Sequence, residues 1–168
     1  IDGSFSRATG EAAIGLVCRN NNGVFVGGLA KAVEASSPFM TECLALKEAL
    51  LHRSFFPRSL VIIETDCECL FRACNKDSGV NNEWQCWDIL EEIAGLLMSS
   101  VDVSLSLVSQ LGNKVADKLA TLAAKKMIQP SWLSDAPSSL CRFLVDDSRG
   151  TGDGMSSRCV LRDKEGIG

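Results

Sequence analysis

The pattern of apolar and polar positions in the first third of the chain predicts three antiparallel strands. Apolar runs over residues 12–18 and 24–33 flank a turn, 19–23, that is rich in Asn and ends in Gly. Such a turn between two apolar runs is typical of a β-hairpin. Residues 1–5 supply the third strand. Gly27 and Gly28 would weaken a strand interior, so we expect a bulge there.

The rest of the chain predicts alternating helices and strands. Ser37 and Pro38 are typical of a helix start, and apolar residues then recur at helical spacing to about Arg53. The apolar run 60–65 indicates a central strand buried on both faces. We then predict a short helix over 67–75, an amphipathic helix over 84–98, an edge strand over 101–108 and a helix from 114 to about 127.

Apolar positions at helical spacing also predict which faces turn toward the core. For the first, third and last helices, the predicted inward residues are Phe39, Cys43, Leu46 and Leu50; Trp84, Trp87, Leu90 and Ile93 or Ala94; and Val115, Leu119 and Leu122. Stacking of the two tryptophans on nucleic-acid bases is the alternative to core packing.

Four acids lie where predicted elements meet. Asp2 lies at the first strand, Glu42 early in the first helix, Asp66 at the end of the central strand, and Asp117 in the first turns of the last helix. Four carboxylates gathered by a fold suit hard divalent cations, which prefer oxygen ligands. Two such cations can hydrolyse a phosphodiester.

Each acid also has an ordinary use. Asp2 could form a turn with Gly3, and Glu42 could interact with the helix dipole. Asp66 could cap the helix that follows it, and Asp117 could be a solvated helix acid. Only a fold that brings the four together favours the metal interpretation.

The order and spacing of several short segments resemble the ribonuclease H family. The closer resemblance is to plant reverse-transcriptase-like RNase H domains of retroelement-derived genes, and it extends from residue 1 to about residue 140. The matching segments are 2–5 (DGSF), 13–20 (AIGLVCRN), 41–46 (TECLAL), 64–66 (ETD), 112–117 (GNKVAD) and 132–137 (WLSDAP).

This resemblance implies an α/β fold with a five-stranded mixed sheet flanked by helices. The implied strand order is 3-2-1-4-5, with the first three strands antiparallel. Strands one and four are then neighbours, which places Asp2 beside Asp66. The first and last helices bring Glu42 and Asp117 over the same end of the sheet.

The resemblance also implies a reaction, the metal-dependent endonucleolytic hydrolysis of the RNA strand in RNA–DNA hybrids. Asp2, Glu42, Asp66 and Asp117 would be both the catalytic residues and the ligands of two Mg²⁺ ions, for which Mn²⁺ can substitute. One ion would activate the attacking water and the other would stabilise the leaving 3′ oxygen.

Four further residues are candidates for substrate binding. Backbone groups at Gly3 and Ser4 and near Thr41 could sense the 2′-hydroxyl that distinguishes RNA from DNA. Asn113 is interpreted as a helix cap, with contact to a phosphate as the alternative. Glu64 shares a strand face with Asp66, but we interpret it as an edge or salt-bridged charge.

Two departures from the family pattern support an alternative function. The loop 108–112 has no His, and the chain's one histidine, His52, lies at the end of the first helix. Residues 36–39 lack the Asn pair that bacterial enzymes carry before the helix Glu. The alternative is a weak or inactive RNase H-like domain that binds nucleic acid or protein. A different nuclease on this fold, such as an exonuclease or a Holliday-junction resolvase, is the third hypothesis.

Composition narrows these possibilities. The net charge of −4 and the pI of about 5.0 argue against a tight stand-alone nucleic-acid binder, although Lys114, Lys118, Lys125 and Lys126 are basic groups near the last helix. The eight cysteines lie mostly in apolar or helical runs, and Cys67, Cys69 and Cys74 lack a second Cys or His pair for zinc. We therefore expect free thiols and a reducing compartment, nucleus or cytoplasm, rather than secretion.

The remaining expectations concern organisation. Residues 1–140 form the predicted domain, and the Gly-, Ser-, Asp- and Arg-rich residues 141–168 are interpreted as a disordered or extraneous tail. No apolar run reaches the roughly 18 residues of a membrane span. The chain begins inside a strand without Met, so we expect a fragment of a larger retroelement-derived protein, and we expect it to be a monomer.

Overall fold

The computed structural model describes residues 1–55, 59–75, 84–128 and 131–133, together with residues 138, 140, 144, 162 and 163. Its strands are β1 (Asp2–Phe5), β2 (Ala12–Arg19), β3 (Phe25–Val33), β4 (Ser59–Thr65), β5 (Val103–Leu107), β6 (Ser131–Leu133) and β7 (Arg162–Asp163). Its helices are α1 (Pro38–Leu51), α2 (Glu68–Cys74), α3 (Trp87–Ser99) and α4 (Lys114–Ala124). Short 3₁₀ segments, His52–Phe55 and Trp84–Cys86, follow α1 and precede α3.

The strands form two sheets rather than the single five-stranded sheet that we predicted. One sheet has the order β1-β2-β3-β6, with antiparallel pairs, and in the other β4 lies between parallel β5 and antiparallel β7. Asp2 pairs with Gly15, so residues 16–19 of β2 extend past the start of β1. The two sheets meet where the Ile1 amine donates to Glu64 O at 2.8 Å. The predicted order 3-2-1-4-5 therefore lacks a ladder between β1 and β4.

Two details of the chain were predicted only approximately. The register of β2 and β3 shifts between Cys18 and Arg19, which face Gly27 and Phe25, so the bulge lies beside the predicted glycines. Of the predicted tail, only residues 144, 162 and 163 are among the described residues. The latter two pair with Ser59 and Leu60 of β4, and the rest of 141–168 lies outside them.

Helix α1 begins as predicted and joins the two halves of the molecule. Ser37 caps it, because its hydroxyl accepts a hydrogen bond from Met40 N at 3.1 Å. Leu46 is fully buried in the core with β4 and α3, whereas its neighbour Ala45 is buried in a second cluster with β2 and β3. Thus α1 packs against both sheets.

The predicted inward faces of α1 and α4 are confirmed. Cys43, Leu46 and Leu50 are buried, with Phe39 partly buried beside them, and Val115, Leu119 and Leu122 are buried in α4. None of the described helices combines the length and apolar composition that a membrane crossing needs.

The predicted inward face of α3 was wrong at its two tryptophans, whereas Ile93 is buried as predicted and Leu90 packs against the same core. Trp84 and Trp87 are 77% and 64% exposed, whereas Cys86, Ile89 and Ile93 are buried. The buried residues are spaced by three and four, so the helix is amphipathic as expected but turned away from the tryptophans. Cys86, a small thiol, fills the core position that we had assigned to an indole ring.

Two glycines let helices lie directly on the first sheet. A Cβ atom on Gly15 would lie 2.5 Å from Ala120 N and 2.6 Å from Ala116 O of α4. A Cβ atom on Gly3 would lie 2.9 Å from Glu42 N of α1. Any larger residue would force α1 or α4 away from the sheet, and these are the helices that carry Glu42 and Asp117.

Candidate active site

The start of β1 and the end of β4 bring Asp2 and Asp66 together. Asp2 opens β1 and is 7% exposed, whereas Asp66 directly follows β4 and is half-buried. The hydrogen bond from Ile1 N to Glu64 O holds the two strand ends side by side. The juxtaposition of Asp2 and Asp66 that the resemblance implied is therefore present, although no ladder joins β1 and β4.

Helix α1 brings Glu42 to this junction. Because Gly3 has no side chain, the α1 backbone at Thr41 and Glu42 packs against β1. The Glu42 carboxylate takes a hydrogen bond from the backbone of Gly3. Its second oxygen, Oε2, is buried and has no hydrogen-bond partner in the part of the chain that the structure describes. A buried carboxylate oxygen without a donor is costly, and a cation would satisfy it.

Helix α4 brings Asp117 to the same place. Ala116 lies over Gly15, which is the cross-strand partner of Asp2. Asp117 follows Ala116 in the first turn of α4 and is exposed. It is thus the most solvent-accessible of the four acids.

The four acids influence one another electrostatically. Burial raises the pKa of Asp2 from 3.8 to about 8, and the charges of Glu42, Asp66 and Asp117 add to this effect. Burial and the charge of Asp66 likewise raise the pKa of Glu42 from 4.5 to about 7. Like charges held close together in a poorly solvated site disfavour ionisation. The structure therefore gathers all four predicted acids.

The four carboxylates lie farther apart than the ligands of a bound metal ion. Across the described parts of the chain, no three His, Cys, Asp or Glu side chains are arranged to hold a metal ion. Charge interactions act over longer distances than the roughly 2 Å of a magnesium–oxygen bond, so the two observations agree.

Asn113 has a different role from the one predicted. It precedes α4 but makes no capping hydrogen bond with its side chain. Instead its Nδ2 donates to Ile1 O at 2.8 Å, to Asp66 Oδ1 at 2.9 Å and to Asp2 Oδ1 at 3.3 Å. The sequence signal for Asn113 was its position before a helix, which favours a cap and says nothing about distant carboxylates.

The other candidate substrate contacts are less well defined. Gly3 and Ser4 lie in β1, paired with Ile14 and Ala13. Thr41 is buried, and both its N–H and its hydroxyl donate to Ser37 O, at 3.1 and 3.0 Å. The donors of Thr41 are therefore used inside α1.

Of two residues outside the cluster, His52 lies where predicted, whereas Glu64 belongs to β4, which lies between β5 and β7 rather than at a sheet edge. His52 ends α1 and contacts Glu48 O through Nδ1 at 2.9 Å, far along the chain from the loop 108–112. Burial raises the pKa of Glu64 to about 7, with the charges of the Ile1 amine and Arg19 opposing the shift. Glu64 thus carries a partly compensated charge beside the site.

The fold and this junction of carboxylates define an RNase H-like α/β protein. The chain belongs to the reverse transcriptase-like family, which matches residues 1–123. A search of curated protein sequences found no match.

Solved structures of RNases H share the fold. RNase H1 from the halophilic archaeon Halobacterium salinarum is 22% identical, with a TM-score of 0.68, and the match covers 74% of this chain and 94% of that one. LC11-RNase H1, isolated from compost, is 23% identical with a TM-score of 0.68, over 76% and 94% of the two chains. The same enzyme in complex with an RNA/DNA hybrid matches with a TM-score of 0.64 and 22% identity, over 76% and 96%.

Proposed function

We propose that this protein is a metal-dependent endonuclease that cuts the RNA strand of RNA–DNA hybrids. The observation that carries the proposal is the electrostatic coupling of Asp2 in β1 with Glu42 in α1, Asp66 just after β4 and Asp117 in α4. The structure of LC11-RNase H1 with an RNA/DNA hybrid supports the substrate class. On the plant-type motifs we also propose an origin in a plant retroelement-derived gene.

The donor set fits Mg²⁺ or Mn²⁺. All the candidate ligands are carboxylate oxygens, the type that hard cations prefer, and the unpartnered Glu42 Oε2 is buried where a cation would compensate it. Asp2 and Asp66 would hold two ions between them, with Glu42 and Asp117 completing one ion each. Bound there, the ions supply an activated water and charge stabilisation for the leaving oxygen.

The chain's own residues would bind and orient the hybrid. Trp84 and Trp87 expose their rings, which supports base stacking rather than the core role that we expected. Lys114 is exposed in the first turn of α4, between Asn113 and Asp117. Its side chain would bind a phosphate of a hybrid held at the site. The backbone at Gly3 and Ser4 remains our candidate for sensing the 2′-hydroxyl.

The first test is cleavage of a labelled RNA–DNA hybrid with Mg²⁺ or Mn²⁺ by wild type and Asp66→Asn. We expect metal-dependent cuts in the RNA strand and a loss of at least about a hundredfold in the variant, since a metal ligand is removed. Its melting temperature should change little, because removing a charge relieves repulsion.

The matched control is Glu11→Gln, which neutralises an exposed carboxylate beyond the other end of β1 and should leave cleavage unchanged. Equal activity in wild type and Asp66→Asn would contradict the assignment. Duplex DNA and branched DNA, tested as further substrates, would reveal an exonuclease or a junction resolvase.

A non-catalytic domain is the second candidate function. It is favoured by the loop 108–112, which carries no His. Calorimetric titration with Mn²⁺ separates the two, because a folded protein that binds no cation and cuts no hybrid would be a nucleic-acid- or protein-binding relic. In either case we propose a monomer of the nucleus or cytoplasm.

A further inference from the structure

Asn113 is the one neutral side chain described above that bonds to two of the four acids. It is 5% exposed, and its Nδ2 lies 2.9 Å from Asp66 Oδ1 and 3.3 Å from Asp2 Oδ1. The same nitrogen donates to Ile1 O at 2.8 Å. An amide nitrogen carries two hydrogens, so three acceptors share them. One oxygen of each acid is thereby engaged by a single group.

These bonds cross the joint between the two sheets. Asp2 belongs to β1 and Asp66 follows β4, and no ladder fixes the distance between those strands. The spacing of the two carboxylates therefore depends on a few individual bonds, namely the Ile1–Glu64 backbone bond and the three made by Asn113. Asn113 is itself held in place because α4 lies directly on Gly15.

We propose that Asn113 is a positioning residue that sets the spacing and orientation of the Asp2 and Asp66 carboxylates for divalent-cation binding. This inference rests on the proposed function. The amide engages Oδ1 of each acid and leaves the second oxygen of each for a cation. An Asp at this position would add a negative charge and no donor, and a Gln would carry its amide one methylene farther out.

Calorimetric titration with Mn²⁺ tests the role without relying on activity. Asn113→Ala should weaken Mn²⁺ binding about tenfold to a hundredfold, the usual cost of losing a group that orients metal ligands, with the circular dichroism spectrum unchanged. Asn113→Ser, which keeps a shorter donor, should lose less. Wild-type Mn²⁺ affinity in Asn113→Ala, with only a lower melting temperature, would overturn the proposal.

Asn75→Ala is the matched control. The Asn75 amide also donates to a carbonyl, Phe71 O at 2.9 Å, but it is exposed at the end of α2 and bonds to no carboxylate among the described residues. It should leave Mn²⁺ binding unchanged. If Asn113→Ala does not fold, Asn113→Ser decides the question, and wild-type affinity in that variant counts against the proposal.

Nuclear magnetic resonance of the Asn113 side-chain NH₂ group tests its bonds to the two acids independently of cation binding, and Mn²⁺ titration then separates failure of the proposed function from failure of the positioning role. In EDTA its protons should exchange slowly with water, and Asp66→Asn should speed that exchange. A wild-type protein that binds no Mn²⁺ would overturn both the proposed function and the positioning role, even with slow exchange. A wild-type protein that binds Mn²⁺ as tightly as Asn113→Ala would overturn the positioning role alone.

Discussion

Among the residues of the candidate site, Asp2 has the pKa that is raised furthest above its ordinary value. It is nearly inaccessible to solvent, and three other carboxylates act on it. Its pKa of about 8 means that a proton stays bound at neutral pH when no divalent cation is present. A proton and a metal ion therefore compete for the same oxygens.

The raised pKa of Asp2 predicts how the stability of the folded protein depends on pH. In EDTA, the unfolded Asp2 loses its proton near its ordinary pKa of 3.8, whereas the folded one keeps it to about 8. Between these values the folded state binds more protons, so its stability falls as pH rises and levels off above about 8. Glu42, with a pKa of about 7, adds to the same slope.

Urea unfolding at several pH values between 4 and 9 measures this slope. Asp2→Asn cannot titrate at this position, so its stability should change less with pH than that of wild type. A wild-type stability that is flat or rises over this interval would contradict the prediction.

Individual residues also show which features of the site could be predicted from the sequence and which could not. The four acids were predicted because of their places relative to the predicted elements and because the motif order matched a family, and their catalytic role stays a prediction. Asn113 was found but given the wrong partner, because an Asn before a helix is ordinarily a cap. Its contacts with Ile1, Asp2 and Asp66 link residues more than 45 positions apart, which no local pattern encodes.

At the scale of elements, the position of α4 depends on the absence of a side chain at Gly15. Gly15→Ala would place a methyl group 2.5 Å from Ala120 N, in contact with backbone that cannot move aside cheaply. We expect a loss of about 1–3 kcal/mol in the free energy of unfolding. Because α4 carries Asn113 and Asp117, Mn²⁺ binding should weaken as well.

Gly95→Ala is the matched control for this change. Gly95 lies in α3 and is exposed, with nothing within 4 Å of an added Cβ. In a helix interior, Ala is favoured over Gly, so this variant should gain about 0.5–1 kcal/mol. Chemical denaturation measures both, and a Gly15→Ala protein as stable as Gly95→Ala would refute the close-packing argument.

The elements themselves were largely predictable, since nearly all the predicted helices and strands are present within a few residues of their expected ends. Orientation was less predictable. The face of α3 was misjudged because Trp84 and Trp87 were assumed to seek the core, whereas Cys86, Ile89 and Ile93 fill it. Hydrophobicity alone does not distinguish a core tryptophan from one exposed for contact with a partner.

At the scale of the whole molecule, the net charge of −4 limits how strongly the protein can hold a phosphate backbone. Under the proposed function, hybrid binding would then draw on base stacking and on bound cations. We expect Trp84→Ala with Trp87→Ala to weaken hybrid binding by about tenfold or more, since each stacked base contributes roughly 1–3 kcal/mol.

Fluorescence anisotropy with a labelled hybrid and Ca²⁺ in place of Mg²⁺ measures this loss. Met98→Ala, which truncates another exposed apolar residue, is the control and should bind as wild type. Unchanged affinity in the double tryptophan variant would show that the exposed rings do not contact nucleic acid.

The sequence predicted which strands lie next to each other, but it did not predict that the sheet is divided in two. The order of β1, β2 and β3 and the parallel pairing of β4 with β5 are as expected. The break between β1 and β4 was not, because a family resemblance implies strand order without giving the number of residues that pair.

The divided sheet affects how the protein responds to warming. Regions that are joined by few backbone hydrogen bonds open locally at a lower free energy than the regions they join. We therefore expect the lower-energy opening to be a separation of the two sheets about α1, which packs against both. The carboxylates come from both sides of that separation. The proposed cleavage activity should therefore disappear on heating while the helices and strands are still formed, and return when the two halves close again.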